Sequence, residues 1–187
     1  MNAFYFLCCL LISMTLSAQD FSSESLIKME DEELLSLFDN VDTDSIKAGK
    51  VARVYLNRAK KNKDTIKMAR GYDRLARIYH FEKNLQFADS IIYLTKDIDN
   101  ITYPGLGYML KGILFFKNNK FKESLDNSLI AYDYYNRNGN ITNQIFANKL
   151  IINIKCIWGN PEEALKLSKE HLKFIKNVEN KLYTKTY

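Results

Sequence analysis

The sequence predicts an all-α protein built as an α-solenoid, a stack of antiparallel helix pairs. Its 187 residues include seven Gly and two Pro, fewer than turn-rich β-proteins use. Apolar residues recur at helical spacing, and no alternating run competes with them. Breaks of about two to five polar residues separate these segments, as in antiparallel helical hairpins. With 47% hydrophobic and 26% charged residues, the chain is also too apolar to be intrinsically disordered.

The first eighteen residues have the pattern of a secretory signal peptide. Residues 1–18 carry no charged side chain and form an apolar stretch too short to span a bilayer. The small residues Ser17 and Ala18 precede Gln19, so we expect cleavage after Ala18 and an exported, periplasmic or envelope-associated protein. Because the stretch lacks Lys and Arg, an uncleaved membrane anchor and a buried N-terminal helix remain alternatives. A lipoprotein is disfavoured because the large Leu7 precedes Cys8.

The cysteine content argues against a disulfide-stabilised or metal-binding protein, and the charge distribution argues against a nucleic-acid-binding protein. Two of the three cysteines lie in the predicted signal peptide, so Cys156 alone cannot build a disulfide framework or a metal site. We expect Cys156 to pack as a small apolar residue. The formal charge of +5 is spread along the chain, whereas nucleic-acid binding calls for a concentrated basic stripe with aromatic residues.

The remaining chain divides into capping helices and a helical array. Residues 19–66 are predicted to form atypical N-terminal capping helices, with Ser23 as the first N-cap. Breaks at Lys83-Asn84 and at the later Asn, Gly and Pro clusters separate the segments that follow. The predicted helices lie near residues 65–82, 85–99, 105–118, 121–138, 141–158 and 161–177.

Three windows of about 34 residues, the length of a common helix-pair repeat, superpose in this array. They cover residues 69–102, 105–138 and 145–178. Small residues recur at equivalent places, where they would let the backbones of paired helices approach closely. These small residues are Ala76 and Gly112 in the first helices, and Ala88, Ser124 and Ala164 in the second helices.

The turn from Phe115 to Leu125, Phe-Phe-Lys-Asn-Asn-Lys-Phe-Lys-Glu-Ser-Leu, carries a family resemblance. It resembles the tetratricopeptide turn Tyr-Tyr-Lys-x-Gly-x-Tyr-x-Glu-Ala-Leu, and Trp158 to Leu165 is similar to the same turn. The resemblance covers about residues 33–178 and implies a tetratricopeptide superhelix. Lys111 and Lys155 depart from the pattern, since they stand where the family has a leucine and an aromatic residue. Residues 179–187 are expected to be a tail or the start of a truncated next helix.

A second resemblance suggests a biological setting. The predicted export signal, followed by Asp64 to Tyr72, resembles the exported N-terminal repeat region of Gram-negative regulators that combine tetratricopeptide and helix-turn-helix domains. This implies a periplasmic sensor that binds a protein or peptide, without direct contact to nucleic acid. A structural subunit of an envelope assembly and an accessory protein of an uncharacterised enzyme are alternatives. A membrane tether could come from an uncleaved N-terminus or a missing C-terminal segment.

The tetratricopeptide resemblance also implies a binding site, on the concave surface formed by the first helices. Basic residues there could pair with partner carboxylates, and apolar residues between them could bury area. The alternative is that some of the apolar residues pack on neighbouring helices. The predicted binding residues are Arg70, Asp73, Arg77, His80, Phe81, Met109, Ile113, Phe116, Lys117, Lys149 and Asn153, with Leu106, Phe146, Cys156 and Ile157 on the same surface.

Catalytic chemistry has little support in the sequence. The two histidines, His80 and His171, belong to no known catalytic or metal-binding motif, and we expect His171 to pack within a second helix. Asp97 and Asp99 resemble part of a calcium loop, but the Gly and the distant Glu of an EF-hand are missing. We therefore expect no enzyme activity, no cofactor and no metal.

Overall fold

The structure, a computed structural model, describes the backbone of residues 21–183 and the side chains of residues 21–178, and it confirms the all-α class. The predicted signal peptide and residues 184–187 lie outside the described residues. Within the described backbone there is no strand and no helix long and apolar enough to cross a membrane. The helices are α1 (Ser23–Lys28), α2 (Asp31–Val41), α3 (Ser45–Lys61), α4 (Thr65–Ala76), α5 (Phe81–Thr95), α6 (Gly105–Lys117), α7 (Phe121–Arg137), α8 (Ile141–Ile157) and α9 (Pro161–Tyr183).

From α2 onwards, each helix packs mainly on the next one in the chain. The buried apolar residues form successive clusters, so the core is distributed along the chain instead of meeting at one centre. One cluster joins α1 to α4 around Phe38 and Tyr55, a small one surrounds Ile91, and another joins α6 to α8 around Tyr135 and Ile154.

The helix starts follow local capping chemistry. Asp44, Asp64 and Asn140 accept hydrogen bonds from backbone N–H groups in the first turns of α3, α4 and α8. At the first helix the cap is Ser22, whose hydroxyl accepts from the N–H of Ser25 at 3.2 Å, so the prediction of Ser23 was wrong by one residue. At the other end, Gly159 ends α8 with φ of +103°, a conformation that the missing Cβ makes accessible.

One predicted break is in the wrong place. Helix α4 ends at Ala76 and α5 begins at Phe81, so Lys83 and Asn84 lie inside a helix. Asn84 does not act as a turn residue, because its side-chain amide donates to the carbonyl of Tyr79 at 2.6 Å and closes the connection between α4 and α5. In addition, α9 extends to Tyr183, beyond the boundary that we placed at residue 178.

The second helices of the pairs, α3, α5, α7 and α9, bury the same positions. Counted from the first helical residue, these are the fourth, eighth, eleventh and fifteenth residues. Aligning the helices in this way moves the start of the first repeat window from residue 69 to residue 65. The buried or half-buried sets are Ala48, Ala52, Tyr55 and Ala59; Asn84, Ala88, Ile91 and Thr95; Ser124, Ser128, Ala131 and Tyr135; and Ala164, Ser168, His171 and Ile175.

Small residues bring helices into contact, but the predicted equivalence of Ala88 with Ser124 and Ala164 was wrong, because Ala88 is the eighth residue of its helix and the other two are the fourth. A Cβ at Gly112 would lie 2.5 Å from the Ser128 hydroxyl oxygen, and the Ser124 hydroxyl donates to the Gly112 carbonyl at 2.7 Å. Ala88 is fully buried. These positions therefore leave no room for a larger side chain without movement of a helix.

A second contact repeats between successive pairs. The twelfth residue of a second helix packs against a small residue of the next first helix. A Cβ at Gly71 would lie 2.9 Å from the Cβ of Leu56, and a Cβ at Gly107 would lie 2.6 Å from Cγ1 of Ile92. Further along, Tyr132 and Ala147 belong to one cluster at the same spacing of fifteen positions.

Candidate functional site

The predicted site residues of α4 are largely engaged within the protein. We name Arg70, Asp73 and Arg77 the α4 stripe. Asp73 is buried, and Arg77 donates to both of its carboxylate oxygens at 2.9 to 3.2 Å. Arg74, a residue that we did not predict, donates to Asp73 at 3.2 Å and pairs with Asp39 of α2 at 3.4 Å. The Asp73 carboxylate is thus neutralised inside the fold, so it cannot serve as a partner contact.

Arg70 lies deeper than expected for a groove residue. It is half-buried, and its positive charge acts on the hydroxyl groups of Tyr55 and Tyr103. Burial, and after it the negative charge of Asp73, raise the pKa of Tyr103 to about 12, and the positive charge of Arg70 opposes the rise. This part of the predicted surface is therefore a polar network that links α3, α4 and the segment before α6.

His80 and Phe81 lie where α5 begins. His80 is the exposed N-cap residue of α5, without a side-chain capping bond. Phe81 packs edge-on against Phe115 with ring centroids 5.9 Å apart, and the Lys120 ammonium lies 5.5 Å from the Phe81 ring. Phe81 thus joins two helix pairs, and His80 alone of the two is exposed to solvent.

The residues predicted on α6 are mostly covered. We name Leu106, Met109, Ile113, Phe116 and Lys117 the α6 stripe. Met109 is 9% exposed and belongs to the core, with Ile113 and Phe116 packed against the same cluster. Phe116 also lies edge-on to Phe121, at 6.0 Å between centroids. The alternative of packing on neighbouring helices therefore applies here, and Met109 is unsuitable as a direct binding residue.

The residues predicted on α8 form an open surface. Phe146, Lys149, Asn153, Cys156 and Ile157 lie on one face of the helix, and we name them the α8 stripe. All five are exposed, and the large apolar side chains of Phe146 and Ile157 are 57% and 60% exposed. Cys156, which we expected to pack as a small apolar residue, is exposed. Lys149 has no carboxylate within ion-pair distance among the described side chains.

A groove on another side of α8 was missed by the sequence reasoning. This cavity, about 390 Å³ in volume, lies between α7, α8 and α9, and we call it the α8 groove. Lys155 lines it and bonds to Glu163 at 3.0 Å. The departure of Lys155 from the family pattern was the one sequence signal of an altered contact here. The lining residues are Leu129, Tyr132, Gln144, Ile145, Asn148, Ile151, Lys155, Glu163, Leu167, Glu170, His171 and Phe174.

His171 packs within a second helix, at the wall of this groove. Its Nδ1 atom lies 2.9 Å from the side-chain nitrogen of Asn148, an arrangement in which Nδ1 accepts from the amide. Partial burial lowers the pKa of His171, and the positive charge of Lys149 lowers it further. His171 is therefore held as a neutral, hydrogen-bonded side chain at neutral pH.

The side chains of residues 21–178 include no group of three or more His, Cys, Asp or Glu that could hold a metal ion. Comparison of the sequence with models of known protein families finds no matching family. Comparison with curated proteins finds no matching relative.

Proposed function

We propose that the chain is a non-catalytic scaffold of the tetratricopeptide type, an α-solenoid whose first helices bind a protein or peptide segment. The observation that carries the proposal is the α8 stripe, which exposes Phe146 and Ile157 on either side of Lys149, a lysine without a carboxylate in ion-pair distance among the side chains of residues 21–178. Exposed apolar patches with a polar rim are characteristic of protein-interaction surfaces. The consecutive packing of helix pairs supports the solenoid, because each pair then presents its first helix on a shared side.

The most favourable ligand chemistry is an apolar segment with at least one carboxylate. Phe146 and Ile157 can bury apolar side chains of the ligand, and Lys149 can pair with the carboxylate. Lys117, exposed at the end of α6, adds a second positive charge. Arg77 contributes less, because Asp73 already holds its guanidinium.

Selection of random peptides displayed on phage against the purified chain tests this function. We expect enriched peptides to combine apolar residues with Asp or Glu, and the binding of a synthetic representative to fall about tenfold or more in Lys149→Glu and in Phe146→Ser. Tyr93→Ser, at a 73% exposed aromatic position on α5 outside the predicted binding residues, serves as the control with unchanged affinity. Equal affinity in all the variants would remove the α8 stripe from the binding surface.

The proposed setting is the periplasm or cell envelope, where the chain acts as the sensor part of a regulator. The apolar, uncharged residues 1–18 support export. Fractionation of cells producing the full chain with a C-terminal tag, with mass spectrometry of the mature N-terminus, tests this setting. Recovery in the periplasm with Gln19 at the N-terminus supports it, and recovery of the uncleaved chain in the cytoplasm contradicts it.

A further inference from the structure

Helix α9 exposes a face that its counterparts α3, α5 and α7 bury. Leu165 and Leu172 are the fifth and twelfth residues of α9, and they are 58% and 59% exposed. The twelfth residues of α3, α5 and α7 are Leu56, Ile92 and Tyr132, each buried or half-buried against the following first helix. We call the exposed side of α9, with Leu165, Lys166, Lys169, Leu172, Lys173 and Lys176, the α9 face.

The three covered contacts specify what fits on the α9 face. In two of them the large residue lies beside a Gly of the next helix, and in the third Tyr132 shares a cluster with Ala147, so a partner helix with a small residue at the contact is required. The helices run antiparallel, because Leu56 meets Gly71 while Gly49, seven residues earlier, lies beside Ile78, seven residues later. Four lysines on the α9 face further favour an acidic partner helix.

Helix α2 of the same chain has these properties on its outward side. Ser36 is small and exposed, and it lines a shallow recess together with Glu32, Glu33 and Asn40. The opposite side of α2, with Leu34 and other apolar residues, is buried in the core. The outward side is therefore acidic, with a small residue near its centre.

The two surfaces also match in register. When Leu172 is placed on Ser36 in antiparallel orientation, each step forward along α9 is a step back along α2. Lys176 then faces Glu32, Lys169 faces Asp39 and Lys166 faces Asp42. Asp39 also pairs with Arg74 of its own chain at 3.4 Å, and its side chain is 59% exposed.

We propose that the α9 face binds the outward side of α2 in a second copy, so that chains associate head to tail. The contact repeats between copies the packing of a second helix on the following first helix. Such a contact joins two different surfaces, so each bound copy still offers one free α9 face and one free α2 surface. Association therefore continues beyond two copies unless the chain of copies closes into a ring. This association uses neither the α8 stripe nor the α8 groove, so it is independent of the proposed ligand binding.

Sedimentation equilibrium of the purified chain over a wide concentration range tests the proposal. We expect the mean mass to rise above that of a monomer with concentration, and to fall when salt screens the lysine and glutamate charges. Leu172→Asp should weaken association about tenfold or more. Ile130→Asp, at a 47% exposed position on α7, is the matched control and should associate as the unchanged chain does.

A charge exchange tests the register. Glu32→Lys and Lys176→Glu should each weaken association, and the double variant, as well as an equimolar mixture of the two single variants, should restore it. Circular dichroism verifies that each variant is folded. A chain that stays monomeric at every concentration overturns the proposal and leaves the α9 face to a different helix. Association that is indifferent to Leu172→Asp, or a double variant that is not restored, overturns it equally.

Discussion

The α4 stripe and the α8 stripe occupy comparable sides of first helices, yet one is filled and the other is open. On α4, Asp73 is 3% exposed and is held by Arg74 and Arg77. On α8, Phe146 and Ile157 are more than half exposed. A residue's position on a first helix therefore does not by itself make it available to a partner. Ion pairs within the fold can already engage the side chains on that side of the helix.

The difference arises from what faces each stripe. Asp73 of α4 pairs with Arg74 and Arg77, and Asp39 of α2 pairs with Arg74, so these charges are compensated inside the protein. On α8 the neighbouring first helix is α6, whose apolar residues share a cluster with Ala147, Leu150 and Ile154, on a side of α8 other than the α8 stripe. The α8 stripe is therefore left for solvent or for a partner.

The largest expected effect is the loss of the Asp73 carboxylate. Asp73→Ala leaves Arg74 partly buried without its main partner, and we expect a loss of about 3 kcal/mol in the free energy of unfolding. Lys149→Ala on the α8 stripe is the control, with a change within about 0.5 kcal/mol. Urea denaturation followed by circular dichroism measures both. Equal stability of the two variants would mean that the α4 network is as dispensable as the open stripe.

Overpacking should produce the next largest effect. Ala88→Leu places a large side chain at a fully buried position between α5 and the Gly107 region of α6, and should cost roughly 1–3 kcal/mol. Asn153→Leu adds similar bulk on the open α8 stripe and should stay within about 0.5 kcal/mol. Melting temperatures compare the two. A neutral Ala88→Leu variant would refute the close approach of α5 and α6.

The smallest effect concerns pH. Burial, together with the charge of Asp73, raises the pKa of Tyr103 to about 12 from its ordinary value of 10. The pKa of Tyr103 is therefore higher in the folded state than in the unfolded state. The stability that this difference contributes is fully present below pH 10, and it is lost as the pH rises from 10 to about 12. At pH 11 the loss is about 1 kcal/mol. Urea unfolding at pH 8 and pH 11 should therefore show a smaller alkaline loss in Tyr103→Phe than in the unchanged chain, and equal losses would contradict this pKa.

The open and filled stripes differ in how far the sequence could predict them. Periodicity predicted the helix, and the tetratricopeptide resemblance placed five residues between 146 and 157 on its binding side; all five are exposed. The same reasoning included Asp73 and Met109 as binding residues, although one is buried in ion pairs and the other in the core. The α8 groove was not predicted, because its shape depends on how three consecutive helices pack, which the residue pattern within each helix does not encode.

By itself the sequence determined the all-α class, the small residues at helix contacts and most helix ends, because capping, periodicity and close packing depend on residues near one another in the chain. The tertiary structure decided which side of each first helix stays free. It also placed the α4–α5 turn at residues 77–80, where Asn84 and the carbonyl of Tyr79 close it. Such outcomes depend on which charges and side chains arrive from other helices, and local sequence patterns do not encode those distances.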